Sequence, residues 1–241
     1  MRMLIVNADD FGLCHGVNAG IMAAHDHGVV TSASLMVRQP AAEEAVALAA
    51  ARPGLSLGLH VDLAEWIPTA EHDWSLRYAH CDIDDTAAVW TEIEHQLERF
   101  HALVGQSPSH LDAHQHVQRD EPVAAAMRFA ARDLDVPLRL HDDGVHYRGD
   151  FYGQDARGRA YPEGITVDRL LDIVRTLPEG CTELACHPGL GVSGEESTYA
   201  PERATEVAAL CDARVEAARL AAGVVLASFT DLAARRDGRA H

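Results

Sequence analysis

The amino-acid sequence predicts an α/β fold of about seven βα units, and three observations support that prediction. Short apolar runs alternate with Ala-rich segments of helical periodicity from one end of the chain to the other. No long linker, low-complexity tract or shift in composition interrupts this alternation. Hydrophobic residues make up 47% of the 241 residues, which is enough for a substantial core. Repeated βα units form a parallel sheet, so the periodicity fits both an open doubly wound sheet and a closed barrel.

The predicted elements follow one another in regular order. The strands are mostly apolar runs, at residues 4–8, 30–37, 55–63, 109–117, 136–140, 182–187 and 224–229. The helices end near Gly or Pro, and they cover residues 15–27, 41–51, 86–104, 121–134, 166–177, 201–222 and a short stretch from 230. The longest predicted irregular segments are 64–85, 141–164 and 188–199. We expect one domain over residues 1–241.

Charge and cysteine usage exclude several classes of protein. The chain has 20 Lys and Arg against 37 Asp and Glu, a net charge of −17, whereas a nucleic-acid binder needs a basic face. The same charge argues against an anionic membrane surface as a partner, and no apolar run approaches the roughly 18 residues of a membrane span. The five Cys residues form no CxxC pair, which favours a reducing compartment. We therefore expect a cytoplasmic protein.

Unusual polar residues cluster at the ends of four predicted strands. They occur in the motifs Asn7-Ala8-Asp9-Asp10-Phe11-Gly12, Gly58-Leu59-His60, Ser109-His110-Leu111-Asp112-Ala113-His114-Gln115-His116 and Cys186-His187-Pro188-Gly189. In a barrel enzyme, groups from several strand ends converge on one active site. The position of these residues therefore favours the barrel over the open sheet.

The fourth strand carries the densest group of such residues. His110, Asp112, His114 and His116 have the same parity, so a continuous strand over residues 109–117 places all of them on one face. Burying four polar groups in a dry core is costly without partners. A metal with supporting hydrogen bonds suits such a face better, and a solvated edge strand is the alternative interpretation.

The residue types indicate hydrolytic metal chemistry. One Asp and two His from separate strands form an N,N,O site that leaves positions for water and for a substrate oxygen. A second carboxylate can accept the proton of the water, and a further His can protonate the leaving group. The sequence contains no Gly-x-Ser-x-Gly motif for a serine nucleophile, and no Gly-rich phosphate-binding motif.

These four motifs resemble the YdjC/ChbG-type carbohydrate deacetylases, in the same order and over nearly the whole chain. The resemblance implies a distorted TIM-like (β/α) barrel related to the NodB-type polysaccharide deacetylases. It also implies removal of acetyl groups from N-acetylated sugars such as chito-oligosaccharides, a divalent metal ion and often a homodimer. The chain departs from the usual family pattern at Ala64 and at Gln118.

The resemblance also implies a role for each motif residue. Asp10, His60 and His114 would bind the metal, and a metal-bound water would attack the acetyl carbonyl. Asp9 would be the general base and His187 the general acid.

The same comparison makes Asp112 and His116 supporting groups. Two His ligands suit Zn²⁺, while the resemblance implies Mg²⁺ for some members, so both ions stay open. Two other interpretations also stay open: a metal-dependent hydrolase of a non-sugar amide, ester or phosphoester on the same barrel, and a non-catalytic metal-binding or sugar-binding protein. The predicted loops carry five aromatic residues that would stack on a sugar or simply anchor the loops: Trp66, Trp74, Tyr147, Tyr152 and Tyr199.

Overall fold

A computed structural model describes residues 1–69, 73–236 and 238 of the chain. Its strands are β1 (Arg2–Phe11), β2 (Ser32–Leu35), β3 (Ser56–Val61), β4 (Ala64–Pro68), β5 (Trp74–Ala79), β6 (Leu111–Ala113), β7 (Val145–Arg148), β8 (Gly180–Cys186) and β9 (Val224–Leu226). Its α-helices are α1 (His15–Asp26), α2 (Ala42–Ala50), α3 (Thr86–Val104), α4 (Val123–Asp133), α5 (Val167–Arg175), α6 (Ala200–Leu210), α7 (Ala213–Ala221) and α8 (Phe229–Arg236). Two 3₁₀ turns cover His114–Arg119 and Pro162–Ile165.

Seven parallel strands form the main sheet in the order β6-β3-β2-β1-β8-β7, with β9 paired to the start of β1. The central strand β1 is buried from Leu4 to Phe11, because it has neighbours on both edges and helices over the sheet. Apolar residues of this strand and of the helices form the main core. Parallel strands buried on both faces explain why the sequence shows apolar runs rather than strict alternation.

The sheet is strongly curled. Three strands lie between β6 and β8, which in a flat sheet would separate them by about 19 Å, from a strand spacing of about 4.8 Å. Nevertheless, one nitrogen of Arg139 lies 2.7 Å from Asp112 on β6 and 2.7 Å from Glu183 on β8. In the part of the chain that the structure describes, no ladder joins β6 to β7, so the barrel is incomplete there. The predicted distorted barrel is therefore confirmed.

The fourth predicted strand is wrong beyond residue 113. Strand β6 ends at Ala113, and a 3₁₀ turn begins at His114. Gln115 and His116 have φ angles of 52° and 58°, which lie in the left-handed region that strands do not use. The expectation that His110, Asp112, His114 and His116 share one strand face is therefore wrong, because the chain leaves the sheet before His114.

Three other segments also differ from the prediction. The fifth predicted strand, 136–140, is reduced to a single bridge between Leu138 and Leu111. The predicted irregular segments 64–85 and 141–164 contain the antiparallel hairpin β4–β5 and the parallel strand β7. Most of β5 is exposed, so it lacks the apolar pattern that would reveal a strand.

The long helix predicted at residues 201–222 is divided into α6 and α7. Asp212 lies between them in an extended conformation, and its side chain accepts a hydrogen bond from the backbone N–H of Arg214. An Asp in this position caps a new helix. None of the described helices has the length and hydrophobicity needed to cross a membrane.

Candidate metal centre

The ends of β1, β3 and β8 open into one cavity of about 1250 Å³. Six of the seven predicted site residues line it, namely Asp9, Asp10, His60, His114, His116 and His187. The seventh, Asp112, is fully buried behind His60. The five predicted loop aromatics also line this cavity. Residues scattered over most of the chain thus meet in one place, as the strand-end motifs predict.

Asp10, His60 and His114 present their ligand atoms to a common point. Asp10 Oδ1 lies 3.5 Å from His60 Nε2 and 3.2 Å from His114 Nδ1. Among the described residues, neither Asp10 Oδ1 nor His60 Nε2 has a hydrogen-bond partner, although both atoms are buried. Buried polar atoms without partners are rare and costly, so these atoms fit a bound cation. The donor set of one carboxylate and two imidazoles suits a divalent metal ion.

The neighbours of these three residues orient them toward that point. Asp112 Oδ1 lies 2.8 Å from His60 Nδ1, so a proton on Nδ1 leaves the lone pair of Nε2 free for a metal. The carboxylate of Asp112 is in turn held by Ser34, whose hydroxyl donates a 2.7 Å hydrogen bond. Arg203 donates a 2.6 Å hydrogen bond to Asp10 Oδ2 and leaves Oδ1 facing the histidines.

The adjacent acids Asp9 and Asp10 point to different partners. Asp10 has a φ angle of 65°, so the backbone turns at this residue and the two carboxylates diverge. Arg139 donates hydrogen bonds of 2.6 and 2.7 Å to the two oxygens of Asp9. Burial raises the pKa of Asp9, but the charge and hydrogen bonds of Arg139 outweigh this effect and lower the pKa below its ordinary value. Asp9 is therefore an ionised, firmly oriented carboxylate.

A second group of candidate ligands, Asp9, His60 and Asp112, lies deeper. The guanidinium of Arg139 already contacts both of its carboxylates and supplies the compensating positive charge. A divalent cation there would have to displace or repel this buried arginine. The group containing Asp10 and His114 is therefore the better metal site.

His187 follows β8 and lines the same cavity as the candidate metal ligands. Its Nε2 is 3.7 Å from Asp9 Oδ2, and its ring contacts Tyr152 and Tyr199 edge-on at 5.1 and 5.5 Å between ring centres. The backbone N–H of His187 donates a 2.5 Å hydrogen bond to Glu206 on α6. Burial lowers the pKa of His187 to about 4, against the opposing charges of Asp9 and Asp10. Its imidazole is therefore neutral at neutral pH.

Glycines in the motifs allow close approaches around this site. A Cβ atom on Gly58 would lie 2.4 Å from the ring of His110, which stacks on Phe229 with 3.8 Å between ring centres. A Cβ on Gly20 of α1 would lie 2.3 Å from the Cα of Gly189, two residues after His187. These glycines are therefore required by packing rather than by backbone conformation.

The 3₁₀ turn after β6 separates His114 from His116. His114 faces Asp10, while His116 Nε2 lies 3.0 Å from the hydroxyl of Tyr147. Between them, the side-chain amide of Gln115 accepts from the N–H of Trp66 at 2.9 Å and donates to the Trp66 carbonyl at 2.8 Å. Gln115 thus fastens the β4–β5 hairpin, which forms one wall of the cavity, to the turn that carries His114.

The sequence predicted no role for several residues of the site, namely Arg139, Arg203, Glu206 and Gln115. Arg139 had a usable signal, because it is a single arginine in the apolar run 136–140. Arg203 and Glu206 lie three residues apart on an ordinary-looking helix, where arginine and glutamate are usually exposed. Their burial is visible only in the folded chain.

The chain has relatives over nearly its whole length. Residues 3–220 match the YdjC-like protein family. The chain belongs to this family. A chitooligosaccharide deacetylase of Serratia marcescens is 32% identical over 96% of this chain and 99% of its own length. A carbohydrate deacetylase of Geobacillus stearothermophilus is 33% identical over 95% of this chain and 98% of its own length. The resemblance read from the motifs is thereby confirmed.

Solved structures place the fold of this YdjC-like protein as well. One is a protein of Enterococcus faecalis described as a cellobiose-phosphate cleavage protein. It superposes with a TM-score of 0.76 and 27% sequence identity, over 96% of this chain and 98% of its own. A family 4 carbohydrate esterase of Streptomyces lividans, in complex with acetate, superposes with a TM-score of 0.55 and 13% identity, over 93% and 91% of the two chains. The second likeness establishes the fold and nothing more.

Proposed function

We propose that this protein is a metal-dependent hydrolase that removes acetyl groups from N-acetylated amino sugars or chito-oligosaccharides. The proposal rests on two buried atoms, Asp10 Oδ1 and His60 Nε2, that have no hydrogen-bond partner in the part of the chain that the structure describes. They lie beside a second carboxylate, that of Asp9, which Arg139 holds in place. The names of the full-length relatives, a chitooligosaccharide deacetylase and a carbohydrate deacetylase, support the substrate class.

The ligands Asp10, His60 and His114 would hold one divalent ion. When bound, the ion would polarise the acetyl carbonyl and make water a better nucleophile. Two imidazoles and one carboxylate favour Zn²⁺ by ligand type, and Mg²⁺ is the alternative that the family resemblance implies. The homodimer and the cytoplasmic location stay predictions.

In this proposal Asp9 accepts the proton of the attacking water. Its carboxylate is ionised and fixed by Arg139, so it is ready to act as a base without reorganising. His187 donates a proton to the departing amine nitrogen. Because the pKa of His187 is lowered to about 4, it must gain this proton during turnover, and Asp9 Oδ2 at 3.7 Å is a source within reach.

The cavity walls suit a sugar. Trp66 and Trp74 lie on the hairpin side, and Tyr152 stacks on Tyr199 with 4.5 Å between ring centres on the side of His187. Aromatic faces pack well against the apolar faces of sugar rings. The cavity of about 1250 Å³ accommodates a short oligosaccharide.

A substrate panel tests the proposal. The purified protein is loaded with Zn²⁺ or Mg²⁺ and assayed for acetate release from N-acetylglucosamine, its β-1,4-linked dimer and trimer, acetylated xylose oligomers and simple aryl acetates. We expect metal-dependent acetate release from the N-acetylglucosamine series. Release from the aryl acetates alone would favour a non-sugar ester or amide hydrolase on the same barrel. Metal binding without any turnover would favour a binding protein.

A further inference from the structure

Tyr147 and His116 form a hydrogen-bonded pair in the cavity wall. The mechanism proposed above assigns no role to this pair. Tyr147 lies on β7 and His116 in the turn after β6. The Tyr147 hydroxyl is 3.0 Å from His116 Nε2, and the rings meet nearly at right angles. Both residues line the cavity.

Either Tyr147 or His116 can be the donor of this hydrogen bond, and the environment of the other ring nitrogen of His116, Nδ1, distinguishes the two cases. His116 Nδ1 is buried and has no hydrogen-bond partner among the described residues. If the hydroxyl donates to Nε2, a neutral ring carries its proton on Nδ1 and buries an unpaired N–H donor. If Nε2–H donates to the phenolic oxygen, Nδ1 buries only an unpaired lone pair. Among backbone groups, unpaired buried N–H donors are rarer than acceptors with a free lone pair, and we apply the same preference to the imidazole ring.

The second direction is therefore favoured, and it leaves the phenolic O–H of Tyr147 without an acceptor among the described residues. No other hydrogen bond to that hydroxyl is found in the part of the chain that the structure describes. Tyr147 is also fixed in place from below, because the guanidinium carbon of Arg139 lies 5.3 Å from the centre of its ring. The same guanidinium also binds Asp9, so Arg139 contacts both Tyr147 and the proposed base.

We propose that Tyr147 donates its phenolic O–H to an oxygen of the bound substrate, and that His116 is the positioning residue that turns this hydrogen toward the cavity. The inference rests on the proposed function of the site. The acceptor is an uncharged oxygen, either a sugar hydroxyl or the oxygen of the acetyl group. A hydroxyl acceptor contributes to binding throughout the reaction, whereas the acetyl oxygen gains negative charge only in the transition state.

The variant Tyr147→Phe removes the hydroxyl and keeps the ring over Arg139. We expect kcat/KM for N,N′-diacetylchitobiose to fall by about 10–100-fold, the usual effect of leaving a buried polar group unpaired. A rise in KM identifies a sugar hydroxyl as the acceptor, and a fall in kcat identifies the acetyl oxygen. Zn²⁺ affinity, measured by calorimetry, should not change. The matched control is Tyr161→Phe, at a half-exposed tyrosine outside the cavity lining, and it should behave like the parent.

The role of His116 is tested by a double-mutant cycle. Asn tolerates the left-handed backbone of this position, so His116→Asn is the suitable replacement. If His116 acts only through Tyr147, His116→Asn should lower kcat/KM in the parent and have little further effect in Tyr147→Phe. Equal losses in both backgrounds would overturn the positioning role.

Two measurements keep the failure of this inference separate from the failure of the proposed function. Acetate release and the equilibrium affinity for N,N′-diacetylchitobiose are measured on the same preparations. If the parent is active and Tyr147→Phe differs from it by less than twofold in both acetate release and sugar affinity, only the proposed role of Tyr147 is overturned. A parent that binds the sugar without releasing acetate overturns the proposed function, and the loss of affinity in Tyr147→Phe then still decides this inference. If the parent neither binds the sugar nor releases acetate, both the proposed function and this inference are overturned.

Discussion

At the scale of single residues, the site depends on two adjacent acids, each of which is held in place by its own arginine. Asp9 pairs with Arg139, 130 positions away, and Asp10 pairs with Arg203, 193 positions away. The motif around these acids predicts that both belong to the site, and the family resemblance assigns them different roles. Neither arginine has a local sequence pattern that reveals its partner, because such pairs form only when distant segments pack together.

His187 offers a test of the proposed proton transfer. His187→Ala should leave metal affinity unchanged, because its ring is not among the ligand atoms around Asp10 Oδ1. Turnover of acetylated amines should fall by about 10²–10⁴, since the amine leaves poorly without a proton. Esters with an acidic phenol as the leaving group should be affected much less. An equal loss on amides and on such esters would count against the acid role.

At the scale of elements, the strand ends were predictable and the segments around them were not. The apolar runs and the polar residues after them predict where β1, β3 and β8 deliver their side chains. The turn after β6 was not predictable, because His110, Asp112, His114 and His116 occupy every second position, as residues on one face of a strand do. Left-handed conformations at Gln115 and His116 take the chain out of the sheet, and two hydrogen bonds between Gln115 and the distant Trp66 backbone, one in each direction, hold Gln115 in place.

The packing of α1 against the loop after β8 provides an element-scale prediction. Gly20→Ala would place a methyl group 2.3 Å from the Cα of Gly189, so helix and loop must separate. We expect kcat to fall, because the displaced loop carries His187, while the metal content stays that of the parent. The matched control is Gly54→Ala, whose added Cβ meets no atom of the described residues within 4 Å. Loss of metal from Gly20→Ala, or parent-like turnover, would contradict this account of the loop.

At the scale of the whole molecule, the fold buries histidines in opposite electrostatic environments. Burial lowers the pKa values of His110 and His187 to about 4, from an ordinary value of 6.5. Burial acts in the same direction on His60, but Asp112 and Asp10 outweigh it and raise its pKa to about 10. The histidine count in the sequence could not reveal this difference, because it depends on which carboxylates become neighbours after folding.

These shifts predict the stability of the metal-free protein as a function of pH. Below pH 6.5, His110 and His187 become protonated in the unfolded chain, whereas in the folded chain they stay neutral until about pH 4. Their contribution therefore makes the folded state less stable as pH decreases through this range. The raised pKa of His60 acts in the opposite direction, and its contribution is lost as pH rises from 6.5 to about 10. Burial also raises the pKa values of Glu183 and Glu206 to about 7 and about 8, so their contribution is lost as pH rises above 4.5 and offsets part of the decline toward acid. Burial lowers the pKa of His116 to about 3, which adds to that decline, so stability should peak near neutral pH. Each histidine contributes a slope of about 1.4 kcal/mol per pH unit within its window.

Denaturant unfolding of the metal-free protein between pH 4 and 7 measures this slope. His110→Asn should lower stability at every pH because the ring packs on Phe229, but it should also flatten the decline toward acid. The control His95→Asn removes an exposed histidine on α3 and should keep the slope of the parent. An unchanged slope in His110→Asn would show that this residue is not a source of the acid sensitivity.

The central claim is that Asp10 binds the metal and Asp9 carries the proton, and the most direct test is Zn²⁺ titration calorimetry of Asp9→Asn and Asp10→Asn beside the parent. We predict that Asp10→Asn weakens Zn²⁺ affinity roughly tenfold or more, because a neutral amide oxygen replaces a charged ligand. Asp9→Asn should bind Zn²⁺ as the parent does and lose about 10²–10⁴ in acetate release from N,N′-diacetylchitobiose. The account is contradicted if Asp9→Asn is the variant that no longer binds the metal while Asp10→Asn keeps it.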